Sequence, residues 1–335
     1  MKKLVTIVVV LTAACAAFAA EGYKVLNKIK IGGTGGWDYP LVDSTAHRLY
    51  ATHGSVVDVV DTESGKVVGQ IPQLHGVHGI ALDTDLGKGF ISNGQSNSVT
   101  IFDLKTLAKT GEPQTGQNPD SICYEPKTKR IFTFNGRSND STAIDAKTNE
   151  IVKTFPVGQK PEFCVADGVG NLFVNLEDTS EIVEVDAQKL SVTKRYSLKP
   201  CESPSGLAMD TAKRHLFSAC DNKLMVISDP DKGSVIGTAP IGEEPDGAGF
   251  DEGRGLAFTS NGDGTITVVR DTAGFPVAET IKTEAGARTM TVDQKTHLLY
   301  LSVAQRGAAP KPTAAAPRPR PAIVPDTFKI LVVGE

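Results

Sequence analysis

Short apolar runs alternate with clusters of glycine, proline, asparagine and aspartate along most of the chain. The third such unit shows the pattern well, because its apolar runs at residues 121–124, 130–135, 141–144 and 150–155 are separated by turn residues. The runs are rich in β-branched and aromatic residues, which favour strands, and the residues between them favour tight turns. Each unit is therefore predicted to contain four short strands joined by hairpin turns.

The units recur with a nearly constant length. An acidic residue closes the same apolar run in each unit, and these residues are Asp43, Asp83, Glu125, Asp167, Asp210, Asp251 and Asp293, spaced by 40 to 43 residues. A second series follows a later run: Asp61, Asp103, Asp145, Asp186, Asp229 and Asp271. A period of this length with several strands per unit is the signature of β-propeller blades. We predict an all-β, seven-bladed β-propeller of four-stranded blades, forming one domain over residues 21–335.

The repeated acids are interpreted as structural residues. An Asp or Glu that begins a hairpin turn accepts hydrogen bonds from backbone N–H groups two residues further on. Every blade needs such turns, so the recurrence requires no catalytic role.

The two ends of the chain are predicted to meet. The seventh unit has candidate strands at residues 289–292, 298–302 and 328–333 but lacks an outer strand, whereas residues 23–31 match the outer-strand pattern and precede the first unit. Because a propeller removes its exposed edges by closing, the N-terminal strand should complete the last blade. Residues 304–327 form a Pro/Ala-rich insertion in that blade, read as a tolerated surface loop or, alternatively, as a basic arm over the channel.

Three recurring motifs resemble those of the YVTN-type propeller family, which includes YncE-like periplasmic proteins. The second-strand motif is Tyr50-Ala51-Thr52-His53 or Phe90-Ile91-Ser92-Asn93, the third-strand motif is Val57-Asp58-Val59-Val60-Asp61, and the G-x-x-P element is Gly116-Gln117-Asn118-Pro119. The resemblance covers about nine-tenths of the chain and supports the propeller fold. Members of this family mostly lack a defined reaction, so the resemblance implies little about chemistry.

The N-terminus has the pattern of a secretory signal peptide. Lys2 and Lys3 precede an apolar stretch and an A-x-A cleavage signal at residues 17–19, so residues 1–20 are predicted to be removed on export to the periplasm or the medium. Thr12 stands where a lipoprotein signal usually has leucine, so a lipid anchor is not expected. No other segment is apolar and long enough to span a membrane.

Composition narrows the possible partners. The formal net charge is −4, and removing the two leader lysines leaves 33 basic against 39 acidic residues. No basic stripe with interleaved aromatic residues is present, so nucleic-acid binding is disfavoured. Of the four cysteines beyond the leader, Cys201 and Cys220 are predicted to form a disulfide within blade five. Cys123 and Cys164 lie on the inner strands of neighbouring blades, which are expected to splay apart, so these two are expected to be buried thiols.

Counting five residues back from each hairpin acid gives one position per blade at the predicted channel mouth. The positions, named here the mouth ring, are Asp38, His78, Asp120, Glu162, Ser205, Asp246 and Arg288. Turns alone do not require so many charges around one axis, so the six charged members are predicted ligand-binding residues. Counting ten residues forward, or nine in blade four because its hairpin is one residue shorter, gives a second ring: His53, Asn93, Asn135, Leu176, Cys220, Asn261 and Val303.

Histidines near blades one and two suggest a metal site. His75 and His78 lie in the loop entering blade two, and His53 follows the second strand of blade one. Imidazole together with carboxylate is a normal ligand set for Zn²⁺ or Cu²⁺, so these residues are a candidate divalent-metal site. The alternative is that each histidine only donates a hydrogen bond to a turn. No other cofactor is expected.

The sequence therefore favours an exported, monomeric propeller that binds an unknown protein or small molecule without catalysis. The alternative is an enzyme at the same face, either a metal- or quinone-dependent oxidoreductase or a lactonase-like hydrolase. Binding of single-stranded nucleic acid or polysaccharide is a third possibility.

Overall fold

The computed structural model describes residues 22–308, 310–311 and 321–335, and all regular secondary structure in these ranges is β. The 28 strands form seven antiparallel sheets of four strands each. Within the described ranges no helix is long and apolar enough to cross a membrane. The predicted signal peptide and residues 309 and 312–320 of the Pro/Ala-rich insertion lie outside these ranges, so the signal peptide and the role of the insertion remain predictions.

In the first six blades the four strands follow each other in sequence from the inner strand to the outer strand. Blade one consists of β2 (Leu41–Asp43), β3 (Arg48–His53), β4 (Val56–Asp61) and β5 (Lys66–Ile71). Blade two consists of β6 (Val77–Asp83), β7 (Lys88–Asn93), β8 (Ser98–Asp103) and β9 (Lys109–Gly111). Blade three consists of β10 (Pro119–Glu125), β11 (Arg130–Asn135), β12 (Asp140–Asp145) and β13 (Ile151–Pro156).

Blades four to six repeat this order. Blade four consists of β14 (Pro161–Ala166), β15 (Asn171–Leu176), β16 (Glu181–Asp186) and β17 (Ser191–Ser197). Blade five consists of β18 (Pro204–Asp210), β19 (His215–Cys220), β20 (Leu224–Asp229) and β21 (Ser234–Pro240). Blade six consists of β22 (Pro245–Asp251), β23 (Leu256–Asn261), β24 (Thr265–Arg270) and β25 (Val277–Lys282). The observed strand ends differ from the predicted ones by at most two residues, as expected where turns and strands share polar residues.

Blade seven is built from both ends of the chain. Its three C-terminal strands are β26 (Thr289–Val292), β27 (Leu299–Val303) and β28 (Lys329–Gly334), and its outer strand is β1 (Lys24–Lys30). β1 pairs antiparallel with β28, with Ile29 opposite Ile330. The prediction that the N-terminal strand closes the propeller is confirmed.

One large aromatic residue per blade fills the space between neighbouring blades. These side chains are all on the second strand and at most 1% exposed: Tyr50, Phe90, Phe132, Phe173, Phe217, Phe258 and Tyr300. Burying one such side chain contributes roughly 1.5–3 kcal/mol to the free energy of unfolding. The repeated aromatic position of the sequence motif is thus the core position that packs one blade on the next.

The hairpin acids cap turns, as predicted. Asp43 accepts hydrogen bonds from the backbone N–H groups of Thr45 and Ala46 at 2.9 and 3.0 Å. The equivalent carboxylates of the other six blades also accept from backbone N–H groups two to four residues further on. These residues therefore serve the fold and do not form a site.

The described residues include two disulfides. Cys201 is bonded to Cys220 within blade five, with Cα atoms 5.4 Å apart. Cys123 is bonded to Cys164, with Cα atoms 6.3 Å apart, so the expectation of two buried thiols at these positions was wrong. That expectation assumed that neighbouring inner strands splay apart, whereas the inner strands of blades three and four lie within bridging distance. The second disulfide therefore links two adjacent blades.

Deleting residues 21–31 should leave β28 with an unpaired edge, because β1 supplies its outer hydrogen-bonding partner. We expect the truncated protein to aggregate or to unfold well below the wild-type melting temperature, and a synthetic peptide of residues 22–31 to raise that temperature again. Leu26→Ala, at an exposed position in the β1 bulge, is the control and should melt like the wild type. Size-exclusion chromatography and thermal unfolding would measure these outcomes; a monomeric truncation with an unchanged melting temperature contradicts the closure argument.

Candidate functional site

The mouth ring lies where the inner strands begin. His78, Asp120, Glu162, Ser205 and Asp246 are each the second residue of an inner strand. The remaining two members, Asp38 and Arg288, lie in the loops just before the inner strands of blades one and seven. The charged side chains of the ring are 15% to 37% exposed, so they are neither fully solvated nor sealed in the core.

Side-chain donors in one blade hold the backbone of the ring in the next. Ser92 Oγ donates to the carbonyl of Asp120 at 2.7 Å, and Thr289 Oγ1 donates to the carbonyl of Asp38 at 2.9 Å. Similar bonds are made by Ser121 to Glu162, by Asn175 to Ser205, by Ser205 to Pro245 and by Ser260 to Arg288. Among the described residues, such a hydrogen bond joins every pair of neighbouring blades except blades one and two.

At the junction of blades one and two the side chains of the ring meet directly. His78 Nδ1 lies 2.6 Å from Asp38 Oδ2 and 3.3 Å from Asp120 Oδ1. Burial lowers the pKa of His78, but the hydrogen bond to Asp38 and the charges of Asp120, Asp38 and Asp246 outweigh it and raise that pKa to about 9. His78 is therefore an imidazolium shared by two carboxylates at neutral pH.

A second cluster surrounds Glu162 in blade four. Desolvation, a hydrogen bond with Glu177 and the charge of Asp120 raise the pKa of Glu162 to about 11. Lys160 forms an ion pair with Glu177 and lies 3.8 Å from Glu162. Glu162 is consequently neutral at physiological pH, and Glu177 carries the negative charge of the pair.

The third cluster joins blade six to blades seven and one. Arg288 Nε lies 3.2 Å from Asp246 Oδ2, and the hydroxyl of Tyr39 donates to Asp246 Oδ1 at 3.4 Å. Desolvation raises the pKa of Asp246 to about 7 against the opposing charge of Arg288. Desolvation also raises the pKa of Asp120, to about 6. Carboxyl groups from different blades thus titrate near neutrality because the closed ring crowds them.

An aromatic pair forms the floor of the mouth. Tyr39, from blade one, reaches across the axis and contacts Phe163, from blade four, with ring centroids 4.6 Å apart. Tyr39 is 6% exposed, and burial together with the charges of the ring acids raises its pKa well above the usual value. The phenol therefore stays neutral and can donate its hydrogen bond to Asp246.

Beyond this floor the channel continues as a mainly apolar cavity of about 390 Å³. Its wall includes Phe163, Val165, Met209, Phe250 and Met290. The cavity contains none of the charged ring residues, so the mouth and the inner cavity are chemically different compartments.

The three histidines predicted as metal ligands do not cluster. His53 is 3% exposed, stacks on Phe328 with ring centroids 4.2 Å apart and lies 3.3 Å from Asp58 through Nδ1. His75 is exposed in the loop before β6. The group of potential metal-binding atoms that the described residues do bring together, all within 4.8 Å of one another, is Asp38, His78 and Asp120.

The second ring is not part of the mouth. All seven of its members are at most 3% exposed, and they lie between blades at or near the ends of the second strands. Asn135, for example, donates to Asp140 and to Thr142 in its own blade. Only the first of the two rings is accessible to a ligand.

Sequence reasoning missed Tyr39, Phe163 and Glu177, although comparison of the repeats contains a signal for each. The residues that follow the ring positions are Tyr39, Gly79, Ser121, Phe163, Gly206, Gly247 and Thr289, of which two are aromatic. Glu177 follows the second-ring position of blade four, where four other blades have glycine. At one of these, Gly94, an added Cβ would lie 2.5 Å from His78 Nε2, so glycine makes room for the ring histidine.

The fold and the mouth together define a seven-bladed β-propeller with a charged, partly buried channel entrance. No protein-family model matches the chain, and no curated protein matches its sequence. The YVTN-type resemblance therefore remains a prediction.

Several solved structures are similar to this chain. U3-55K aligns with a TM-score of 0.76 and 10% identity over 92% of this chain and 99% of its own. The WD40 repeats of RRP9 give a TM-score of 0.76 and 10% identity over 92% and 97%, respectively. Kuenenia stuttgartiensis hydrazine synthase gives a TM-score of 0.70 and 14% identity over 80% of this chain and 92% of that one. At these identities the likeness shows the fold alone.

Replacing Glu162 should change how stability depends on pH. Its pKa rises from 4.5 to about 11 on folding, so the folded protein binds a proton that the unfolded chain releases above pH 4.5. The stabilisation that this proton provides is fully present below pH 4.5 and is lost progressively as the pH rises toward 11. Glu162→Gln mimics the neutral acid without titrating, so it should stabilise the protein relative to wild type at pH 8 and less so at pH 5.

The difference in free energy of unfolding between Glu162→Gln and the wild type should change by up to about 1.4 kcal/mol per pH unit. Urea unfolding at several pH values would measure it. Glu63→Gln, whose parent side chain is 73% exposed, is the control and should show no such trend. A Glu162→Gln effect that is equal at pH 5 and pH 8 would contradict the assignment of a neutral Glu162.

Proposed function

We propose that this protein is an exported, monomeric, non-catalytic binding protein that holds a small ligand at the mouth of its channel. The observation that carries the proposal is the convergence of Asp38, Asp120, Glu162 and Asp246 from four blades around one axis. Arg288 and His78 are the cationic members of the ring. With Glu162 neutral, the three other carboxyl groups still outnumber the two cations, so the mouth attracts positive charge.

The raised pKa values of the carboxyl groups support a cationic ligand. Asp120 and Asp246 hold protons more tightly than isolated carboxyl groups because they are partly buried near other carboxyl groups of the ring. A ligand that carries ammonium or hydroxyl groups would replace those protons as the partner of the carboxylates. The ligand class that fits this chemistry is a small amine or a hydroxyl-rich cation.

The hydroxyl groups of the mouth support binding over nucleophilic catalysis. Ser121 and Ser205 donate to backbone carbonyls of the neighbouring blades, and Thr289 does the same. The described cysteines are all disulfide-bonded. No side chain of the described mouth is thus arranged as an activated hydroxyl or thiol nucleophile beside a base.

The competing proposal is a hydrolase at the same mouth. It is favoured by one observation, the pKa values of about 6 for Asp120 and about 7 for Asp246, which suit proton transfer near neutral pH. A lactonase-like reaction would use these acids to activate water. The binding proposal expects no hydrolysis of a simple γ-lactone above the buffer rate.

Export is proposed from residues 1–20, which carry the basic, apolar and small-residue regions of a leader. The two disulfides suit an oxidising compartment. Mass spectrometry of the protein recovered from the cell envelope or medium should find a mature N-terminus at Ala20 or Glu21, and an intact Met1 in the same fraction would contradict export.

Calorimetric titration with spermidine at low salt tests the binding proposal. We expect binding to the wild type that weakens as salt rises, because the attraction is electrostatic. Asp246→Asn should weaken the affinity by at least about tenfold, because it removes a negative charge and leaves Arg288 without its partner. Glu162→Gln, which exchanges a neutral group for a neutral group, is the matched control within the ring and should bind within about twofold of wild type.

Two results would overturn the proposal. One is an affinity for spermidine that Asp246→Asn leaves unchanged. The other is hydrolysis of γ-butyrolactone by the wild type that Asp246→Asn abolishes, because this outcome would make the mouth an active site.

A further inference from the structure

We propose that Asp38, His78 and Asp120 bind a divalent transition-metal ion, with Zn²⁺ as the best fit, in the wall of the channel mouth. The inference rests on the proposed function only in taking the mouth as the binding face. It replaces the three-histidine site expected from the sequence with a site of one imidazole and two carboxylates contributed by three consecutive blades.

The distances between the donor atoms fit a metal ion. Nδ1 of His78 is 3.3 Å from Asp120 Oδ1 and 2.6 Å from Asp38 Oδ2. In a tetrahedral zinc site with bonds of about 2.0–2.1 Å, neighbouring donor atoms lie about 3.3 Å apart. The first distance already has this value, and the second requires Asp38 to move back by a fraction of an ångström.

The backbone of each carboxylate ligand is fixed from outside the cluster. The N–H of Asp38 donates to Thr52 Oγ1 at 2.9 Å, and its carbonyl accepts from Thr289 of blade seven. The carbonyl of Asp120 accepts from Ser92 of blade two. Such supporting hydrogen bonds hold metal ligands in position and sharpen the geometry of a site.

The orientation of His78 also fits. Its Nε2 edge lies over Gly94, where an added Cβ would come within 2.5 Å, so any side chain at this position would displace the ring. Its Nδ1 edge faces both carboxylates. One nitrogen is therefore packed against the protein, and the other is the donor available to an ion.

The choice of ion follows from the donor set. Ca²⁺ and Mg²⁺ prefer six or more oxygen ligands, whereas one imidazole with two carboxylates suits Zn²⁺ and similar ions. Three protein ligands leave a fourth position for water or a ligand group, and these side chains, 19% to 27% exposed, lie at the open end of the channel. The ion would thus present a coordination position to whatever the mouth binds.

The rival interpretation is a closed ion triad that only joins blades one, two and three. It explains the same distances with a proton on His78 in place of a metal ion. The two interpretations differ in whether added metal binds, so measurement separates them.

The test is calorimetric titration of the metal-free full-length mature protein with Zn²⁺ at pH 8, together with absorption spectra after addition of Co²⁺. We expect one ion per chain and the intense visible absorption of tetrahedral Co²⁺. His78→Gln and Asp120→Asn should each weaken Zn²⁺ binding by at least about 30-fold, because each removes one of three protein ligands. His75→Gln, which changes an exposed histidine in the same loop, and His53→Gln should bind within about twofold of wild type.

Wild-type protein that binds no Zn²⁺ up to about 1 mM overturns the proposal and leaves the ion triad. Equal losses in His75→Gln and His78→Gln would also overturn it, because the ligands would then be the histidines of the loop. Zn²⁺ should raise the melting temperature of wild type but not of Asp120→Asn, which separates lost binding from lost folding. If His78→Gln still binds spermidine but not Zn²⁺, both proposals stand; if wild type binds spermidine but not Zn²⁺, the metal site alone fails.

Discussion

Antiparallel pairing between the first strand, β1, and the last long strand, β28, closes the circle of blades. Without this pairing, β28 would have an unpaired edge. Blade seven would then also lose the strand that connects it through the chain to blade one. Closure fixes how far each inner strand stands from the axis. The seven loops that carry the mouth ring must then converge, so the chemistry of the mouth depends on a pairing made at the opposite edge of one blade.

Convergence brings acids together in a partly desolvated space, and the structure relieves this crowding in three ways. Arg288 neutralises Asp246, His78 carries a proton that two carboxylates share, and Glu162 retains its own proton. Each of these responses lowers the local negative charge by a different cation: a guanidinium, an imidazolium or a proton. A ligand or metal ion bound at the mouth would act on the same balance, so we place the proposed site there rather than in the apolar inner cavity.

The repeat period predicted the blade count, the turn acids and the closure, because each depends on local strand and turn patterns that recur seven times. The mouth ring was predicted by register alone, since equivalent positions in a propeller share one height on the axis. The register of the repeats could not show which way a side chain points. His53 was a predicted metal ligand, but its ring packs between blades on Phe328. The register also could not show distance across the axis, and therefore the contact of Tyr39 with Phe163 appears only in three dimensions.

The junction of blades one and two differs from the rest in how it is held. Elsewhere a neutral side-chain donor binds a backbone carbonyl of the next blade, which desolvates no charge. Here an imidazole lies between two carboxylates, and buried ion pairs often stabilise a fold no better than neutral contacts of similar size. Stability alone therefore does not explain why Asp38 and His78 form an ion pair here instead of the neutral hydrogen bond found at the other junctions. The side chains at this junction titrate and are the metal ligands that we propose, so the junction would respond to what binds in the mouth. A ligand there would tighten blades one, two and three together.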